Sequence, residues 1–344
     1  MSAGGGEGPV LATTYLGLPL TGPVIASSSP LTREIETLKE LERAGAAAVV
    51  LPSMFEEEVI AEEMAFHESV EQTAGFDAEF TDMMPEMTLP DLGSERHLRR
   101  LEQAKQALSV PVIASLNAVH TGSWQRYAQL FVDAGADALE LNLYAVAANP
   151  AESAADVETR YLDVIGEVRE NVSVPLAVKL SPYFSSLAHF AGQVAAAGVD
   201  GLVVFNRFYA PDIDLESLHV EPSATLSSSV ALRLPLRWLA ILRGQLPQVS
   251  LAATSGVHGP DDVIKAILVG ANVACTASAV LQDGPQAITA MLAGVRSWLA
   301  ERDYTGVDQA RGSLSAVNVE DPSAFERSQY IEVLTSFGTQ TAMP

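Results

Sequence analysis

Apolar runs recur along this chain in two interleaved forms, and both point to strands. In the first, a helix-ending Ala-Gly or Gly-Ala leads through small or acidic residues into an apolar run. Its copies are Ala44-Gly45 before AAAVVLPS, Ala134-Gly135 before ADALELNL, Ala197-Gly198 before VDGLVVFN and Gly270-Ala271 before NVACTAS. Glycine there can take the left-handed conformation that closes a helix, and the β-branched run behind it suits a strand. In the second form the run is entered from a small residue and often a proline. These copies are GPVIASSS from Gly22, VPVIASLN from Val110, VPLAVKLS from Val174 and VSLAATSG from Val249. Together they predict eight strands, near 23–28, 47–53, 111–117, 138–144, 175–181, 201–207, 249–255 and 272–278. Between them, sets such as Ile35, Leu38 and Leu41, or Ile288, Met291, Val295 and Leu299, fall on one helix face. Continuous rather than alternating apolar strands mean a parallel sheet covered on both sides. Eight such units predict a (β/α)8 TIM barrel, in one domain with its core at about 15–300. An open doubly wound sheet competes poorly, because no GxGxxG follows the first run.

Two connections exceed plain β-to-α loops: 54–93 after the second run and 208–230 after the sixth. Both leave a strand's C-terminal end, where barrels build lids and substrate sites. A tail, 301–344, follows the last helix and suggests a packing or oligomer extension. The net charge of −23 excludes little about the fold but makes phosphate backbones and anionic lipid poor partners. Neither nucleic acid nor membrane is expected as a partner, and solubility alone accounts for the acidic surface. One cysteine, Cys275, leaves no intramolecular disulfide and no Cys/His metal cluster, which fits a reducing, cytoplasmic setting. The start, MSAGGGEGPV, shows neither a basic region nor an apolar core of a signal peptide.

The predicted strand ends gather a polar, amide-rich ring: Ala26 to Ser29, Pro52-Ser53, Ser115 to Asn117, Asn142, Lys179, Asn206, Thr254 to Gly256, and Ala277-Ser278. It lacks the Asp/Glu/His trio of a metal site and the paired carboxylates of glycosidases. Lys179 is one of four lysines and lies inside a strand between Val178 and Leu180. A buried ammonium needs a partner. A salt bridge to Glu140, a Schiff base, or a cation facing an electron-rich cofactor would each supply one. The neighbouring amides Asn142 and Asn206 favour hydrogen bonding to a heteroaromatic ring. Small residues at the seventh and eighth ends, followed by helices expected from Pro260 and Pro285, would let backbone N–H groups approach a phosphate. Ring and phosphate together point to FMN. The expected cofactor set is Ala26, Ser27, Ser53, Asn117, Asn142, Lys179, Asn206, Ser229, Thr254, Ser255, Gly256, Ala277 and Ser278.

Several of these segments carry a family signature. AVKLSPYF (177–184) is close to VKLxPxF, ELNLYA (140–145) to the start of ELNxSCPN, and GPVIASSS to NPxxxASG. ATSGV (253–257) stands for GxGGI, TASAV (276–280) for GTA, and MTLPDLG (87–93) for GLPNxG. Over roughly 15–300 the chain resembles dihydroorotate dehydrogenases, as a divergent branch. The resemblance implies a flavin-facing Lys179, an FMN-binding Asn142 and Asn206, and a phosphate cup at 254–256 and 277–278. It also exposes departures. Ala145 stands where the family has its catalytic cysteine or serine, and Pro52 where a lysine ends the second strand. Pro85 and Ala147 replace asparagines. A methyl group takes no proton, so dihydroorotate oxidation is not expected.

Tyr144, beside the lost base, and His120, after the third run, are the remaining donor or base candidates, with Lys179 facing the reaction. Arg207 or Tyr209 could pair with an anionic small-molecule substrate. Three classes of function follow: an FMN-dependent oxidoreductase, a flavin-bearing electron-transfer or partner subunit (as a homodimer or with a redox partner protein), and a flavin-free aldolase using Lys179 as a Schiff base. An RNA-modifying dihydrouridine synthase fits neither the charge nor the missing loop cysteine.

Overall fold

The computed structural model describes residues 8–58, 60, 93–118, 120, 122, 124–207, 211–221 and 225–326. Most of the expected 54–93 insertion, the MTLPDLG segment up to Leu92, Pro85, Tyr209 and the end of the tail lie outside the described residues.

The strands, in chain order, are β1 (Thr13–Tyr15), β2 (Leu18–Leu20), β3 (Val24–Ala26), β4 (Val49–Val50), β5 (Met54–Phe55), β6 (Val112–Ala118), β7 (Ala138–Leu143), β8 (Leu176–Leu180), β9 (Gly201–Val204), β10 (Asp212–Asp214), β11 (His219–Glu221), β12 (Ser250–Ala253) and β13 (Val273–Thr276). All eight predicted runs are present. The second appears as β4, and a further strand, β5, stands at the start of the expected 54–93 insertion; both pair with β6. Pro52 lies between them, and a residue without an N–H cannot continue the ladder there. Every barrel pairing is parallel, and β4–β6 with β3–β13 closes the sheet into a (β/α)8 barrel. The helices outside it are, among the described residues, α1 (Ile35–Arg43), α2 (Gly93–Ala107), α3 (Trp124–Asp133), α4 (Ala154–Asn171), α5 (Leu187–Ala196), α6 (Arg233–Gln245), α7 (Pro260–Val269), α8 (Ser278–Asp283) and α9 (Gln286–Glu301), with the short α10 (Val307–Ala310) and α11 (Ser323–Glu326) in the tail. The four glycines of the first repeat, Gly45, Gly135, Gly198 and Gly270, all take positive φ. The helix-closing role read from sequence is therefore the one they have.

Alternation along each strand divides the core in two. Val24, Leu139, Leu141, Val178 and Leu202 face the helices in the outer cluster. Ile25, Ala138, Ala177, Val203 and Ala252 fill the barrel's inside. That interior is narrow and lined by small side chains, and the β1–β2 hairpin plugs its lower end. Tyr15 and Leu16 join the inner cluster, the Leu16 N–H donates to Ser250 Oγ at 3.0 Å, and Asn272 Nδ2 donates to the Thr14 carbonyl at 2.8 Å. Gly201 makes room for the plug, since a Cβ there would meet Leu16 Cδ2 at 2.4 Å.

Two features of the connections differ from expectation. The insertion after β9 contains an antiparallel hairpin, β10–β11, whose Ile213, Leu215, Leu218 and Val220 are exposed. After β13 the chain first forms α8 and then breaks at Gly284, so α9 starts at Gln286 rather than at a first helix from Pro285. The tail, up to Glu326, packs back on the barrel. Gly312 and Leu314 donate backbone bonds to the carbonyls of Ile267 and Leu268, and Ala316 to that of Ala240. Among the described residues no helix is long and apolar enough to cross a membrane.

Candidate active site

Parallel register sets the side chains at the barrel mouth in a row. Asn117 on β6 lies opposite Asn142 on β7, which lies opposite Lys179 on β8. One pleat below, Ser115 lies opposite Glu140, which lies opposite Ala177. All of these face inward, because a period of two keeps them on one side of the sheet. The row lines a cavity of about 290 Å³ at the C-terminal ends of the strands. Its wall also takes Ser27, Ser53, Tyr144, Asn206, Arg207, Thr254, Ser255, Gly256, Ala277 and Ser278. Most of the residues read from the strand ends are thus brought together around one space.

The hydrogen bonds inside are few and specific. Asn142 Nδ2 donates to Ser53 Oγ at 3.0 Å and to Ser115 Oγ at 2.9 Å, and those two hydroxyls bond each other at 2.7 Å. Asn142 Oδ1 is buried with no partner. Turning the amide over would only move the deficit to the nitrogen, because both serines sit on the same side. A buried, unpaired amide atom costs roughly 1–3 kcal/mol. Lys179 Nζ lies 3.4 Å from Glu140 Oε1, with the side chains 12% and 4% exposed. The ion pair considered from sequence therefore exists, and the ammonium still lines the cavity. Below it, burial and the Glu140 charge push the Cys275 thiol up to about 12, partly offset by Lys179. Cys275 lines the cavity floor rather than lying wholly in the core, yet it stays protonated.

The far side of the cavity is built from loops. Ser255 and Gly256 both take positive φ, at 66° and 101°. A Cβ on Gly256 would meet Leu232 N at 2.5 Å and Ser228 O at 2.9 Å, so this loop is pressed against the segment leading into α6. Ser227 fastens the two, with Oγ 3.0 Å from His258 Nε2 and 2.9 Å from Ser278 Oγ. Ser255 Oγ donates to the Phe205 carbonyl at 3.1 Å.

Three expected residues lie elsewhere. Ala26 packs its methyl into the outer cluster, one residue short of the cavity. Ser229 donates to Asp262 Oδ2 at 2.7 Å instead of lining the space. His120 is exposed, its Nδ1 2.9 Å from Glu56 Oε1, outside the cavity wall. Asp262 lies in the first turn of the helix that starts at Pro260. It accepts the N–H groups of His258 and Gly259 at 3.0 and 3.2 Å, so this helix start already carries its own anion. Ala145 falls on the wall of a neighbouring cavity with Tyr161 and Phe184, not of the central one. Phe55, Phe205 and Ser227 line the mouth without having been read from sequence. Phe55 ends β5, two residues past the predicted 47–53 run, and Phe205 lies within the predicted 201–207 run, directly before Asn206.

A closed parallel barrel with a polar, lysine-bearing cavity at the C-terminal ends of its strands has the architecture of a TIM-barrel enzyme. The dihydroorotate dehydrogenase family model matches residues 10–299, and the chain belongs to that family. It is similar to the catalytic subunit of dihydroorotate dehydrogenase B (NAD(+)) from Thermoplasma volcanium, with 25% identity over 88% of this chain and 97% of the relative. The corresponding subunit of Methanothermobacter thermautotrophicus is 23% identical over 88% and 98%. The NAD-dependent dihydropyrimidine dehydrogenase subunit PreA of Escherichia coli is 23% identical over 93% of this chain and 80% of the relative. The chain is an oxidoreductase of this family, whose dehydrogenases are generally flavin enzymes.

Proposed function

We propose that the chain binds FMN at the barrel mouth and oxidises or reduces a carbon–carbon bond of a small, anionic metabolite other than dihydroorotate. The observation that carries this reading is the orphaned buried amide atom of Asn142 beside the ammonium of Lys179. A heteroaromatic ring edge with its own donors and acceptors relieves the first and uses the second. Asn117, Asn142, Lys179 and Asn206 would hold the ring, with Ser53 fixing Asn142. Ser27 would lie along it, with Ala26 contributing only backbone. Thr254, Ser255, Gly256, Ala277 and Ser278 would cradle the phosphate. Ser229 serves by anchoring the segment that Gly256 rests on. When bound, FMN supplies the two-electron acceptor that side chains lack. Tyr144 and Arg207 face the same space and would orient a substrate.

The test is release of the cofactor. Denatured protein is expected to yield one FMN per chain and no FAD, and a colourless protein that takes up no added FMN would sink the reading. Borohydride trapping with a carbonyl substrate separates it from Schiff-base chemistry at Lys179.

Lys179 provides a second check. An ammonium at the ring stabilises negative charge on it, so Lys179→Ala is expected to lower the flavin midpoint potential, and Glu140→Gln to raise it. Each tenfold change in relative stabilisation of the reduced form is about 30 mV for a two-electron couple. Lys265→Ala, on exposed helix surface, should do neither. Equal shifts at Lys179 and Lys265 would refute the assignment.

The exposed apolar hairpin β10–β11 and, among the described residues, a central cavity lined by no carboxylate and no histidine favour a second reading, a subunit that exchanges electrons with a partner protein. Turnover of an organic substrate by the isolated chain would discard it.

A further inference from the structure

A second cavity, of about 430 Å³, opens beside the first and shares Ser28, Ser53 and Phe55 with it. Its wall carries Arg33, Arg96, Arg100 and His97. That concentration is unusual in a chain with only 20 basic residues against 43 acidic ones. Arg96 and Arg100 are one turn apart on α2, where like charges repel. Arg33 comes from the short helix after β3.

One carboxylate, Glu58, lines the same space, and it is already committed. Its oxygens lie 2.9 Å from Arg96 Nη2 and 3.2 Å from His97 Nε2, and it accepts the Phe55 N–H at 3.0 Å. Arg100 Nε donates to the Arg33 carbonyl at 2.9 Å. Among the described residues, neither Arg33 nor Arg100 has a carboxylate within ion-pair distance. Burial, with the charges of Arg96 and Arg33, pushes the Arg100 guanidinium below its ordinary range. Glu34 and Glu58 offset part of this, but Glu34 does not line the cavity. Burial also lowers the His97 imidazole, despite Glu58, so it adds little charge. Among the described residues, two guanidinium groups are left lining the cavity without a carboxylate partner.

We propose that this cavity holds the phosphoryl group of a small phosphorylated molecule between Arg33, Arg96 and Arg100, with the remainder reaching past Ser28 and Ser53 toward the central cavity. A phosphate dianion matches the two uncompensated charges, and its oxygens suit several planar guanidinium forks at once. A lone carboxylate would satisfy one. As a phosphate site it stands by itself; as the anchor of the substrate it rests on the oxidoreductase reading above.

Isothermal titration of the FMN-saturated full chain with phenyl phosphate, and with benzoate as the carboxylate match, tests this at fixed ionic strength. Saturable binding of phenyl phosphate is expected, weakened at least tenfold by Arg100→Gln and by Arg33→Gln and unchanged by Lys265→Gln. Benzoate should bind at least tenfold more weakly. No saturable binding, equal affinity for benzoate, or equal loss in Lys265→Gln would overturn the proposal. So would binding seen only before FMN is added, since the probe would then occupy the cofactor's own phosphate cup. If the protein takes up no FMN, titration of the protein as isolated still decides. Arginine-dependent binding there would leave this site standing while the flavin reading falls.

Discussion

Millimolar dihydroorotate, mixed anaerobically with the chain loaded with FMN as proposed, is expected to bleach the flavin orders of magnitude more slowly than a competent dihydroorotate dehydrogenase would allow. Removing hydrogen from C5 needs a base within about 3 Å, directly or through one water, and such a base contributes roughly 10² to 10⁴ in rate. Among the described residues lining the central cavity there is no carboxylate and no histidine. Cys275 is there, but its thiol, pushed up to about 12, is protonated at neutral pH. Ala145, which the sequence resemblance sets against the family's catalytic cysteine or serine, lines the neighbouring space instead. Ala145→Cys alone should therefore restore little, because the new thiol starts on the wrong wall. Rapid bleaching in a stopped-flow trace would place a base elsewhere, and Tyr144, then His120, would be the residues to change first.

Gly256→Ala is expected to reduce FMN affinity at least tenfold and to lower the melting temperature. Its φ of 101° alone costs a non-glycine residue roughly 1–2 kcal/mol. The added methyl also meets backbone on both sides, Leu232 N and Ser228 O, and backbone cannot rotate away as a side chain can. The loop must lift, taking Thr254 and Ser255 with it and parting Ser227 from His258 and Ser278. Gly17→Ala provides the control. Its φ is 75°, yet nothing lies within 4 Å of the added carbon. That variant should lose stability alone and keep its FMN. Comparable FMN loss in both would mean that the loop's position is unimportant to the cofactor.

What was legible in the sequence follows from how each part is encoded. Parallel strands buried on both faces leave continuous apolar runs, so all eight appeared with ends correct to within a few residues. The cavity residues at those ends came with them, since the fold fixes which end of a strand bears the site. The plug at β1–β2 was missed because strands of three residues carry almost no periodicity. Its one signal is the Leu16-Gly17 turn between alternating residues. Ser229 and His120 sit on connections whose paths depend on single side-chain bonds, to Asp262 and Glu56, and no local pattern announces such a bond. The arginine cluster was invisible for a related reason: Arg33 and Arg100 are 67 residues apart and meet through one backbone carbonyl.

The hairpin that stops the lower end of the barrel also sets a timetable. Leu16 and Thr14 are made first, but their partners Ser250 and Asn272 lie 234 and 258 residues further on. Val10 is clasped between Thr305 and Val307, and Thr13 meets Arg311. On a ribosome the β1–β2 segment must therefore wait, unburied, until the residues from Ser250 to Val307 have emerged. Successive βα units can condense as they appear, yet the inner core stays open at its base throughout. A nascent chain arrested before residue 250 should be cleaved readily by protease near Tyr15, and one arrested with residue 326 clear of the exit tunnel should resist. The β1–β2 hairpin, made before the strands it closes, is the last part of the inner core to be sealed.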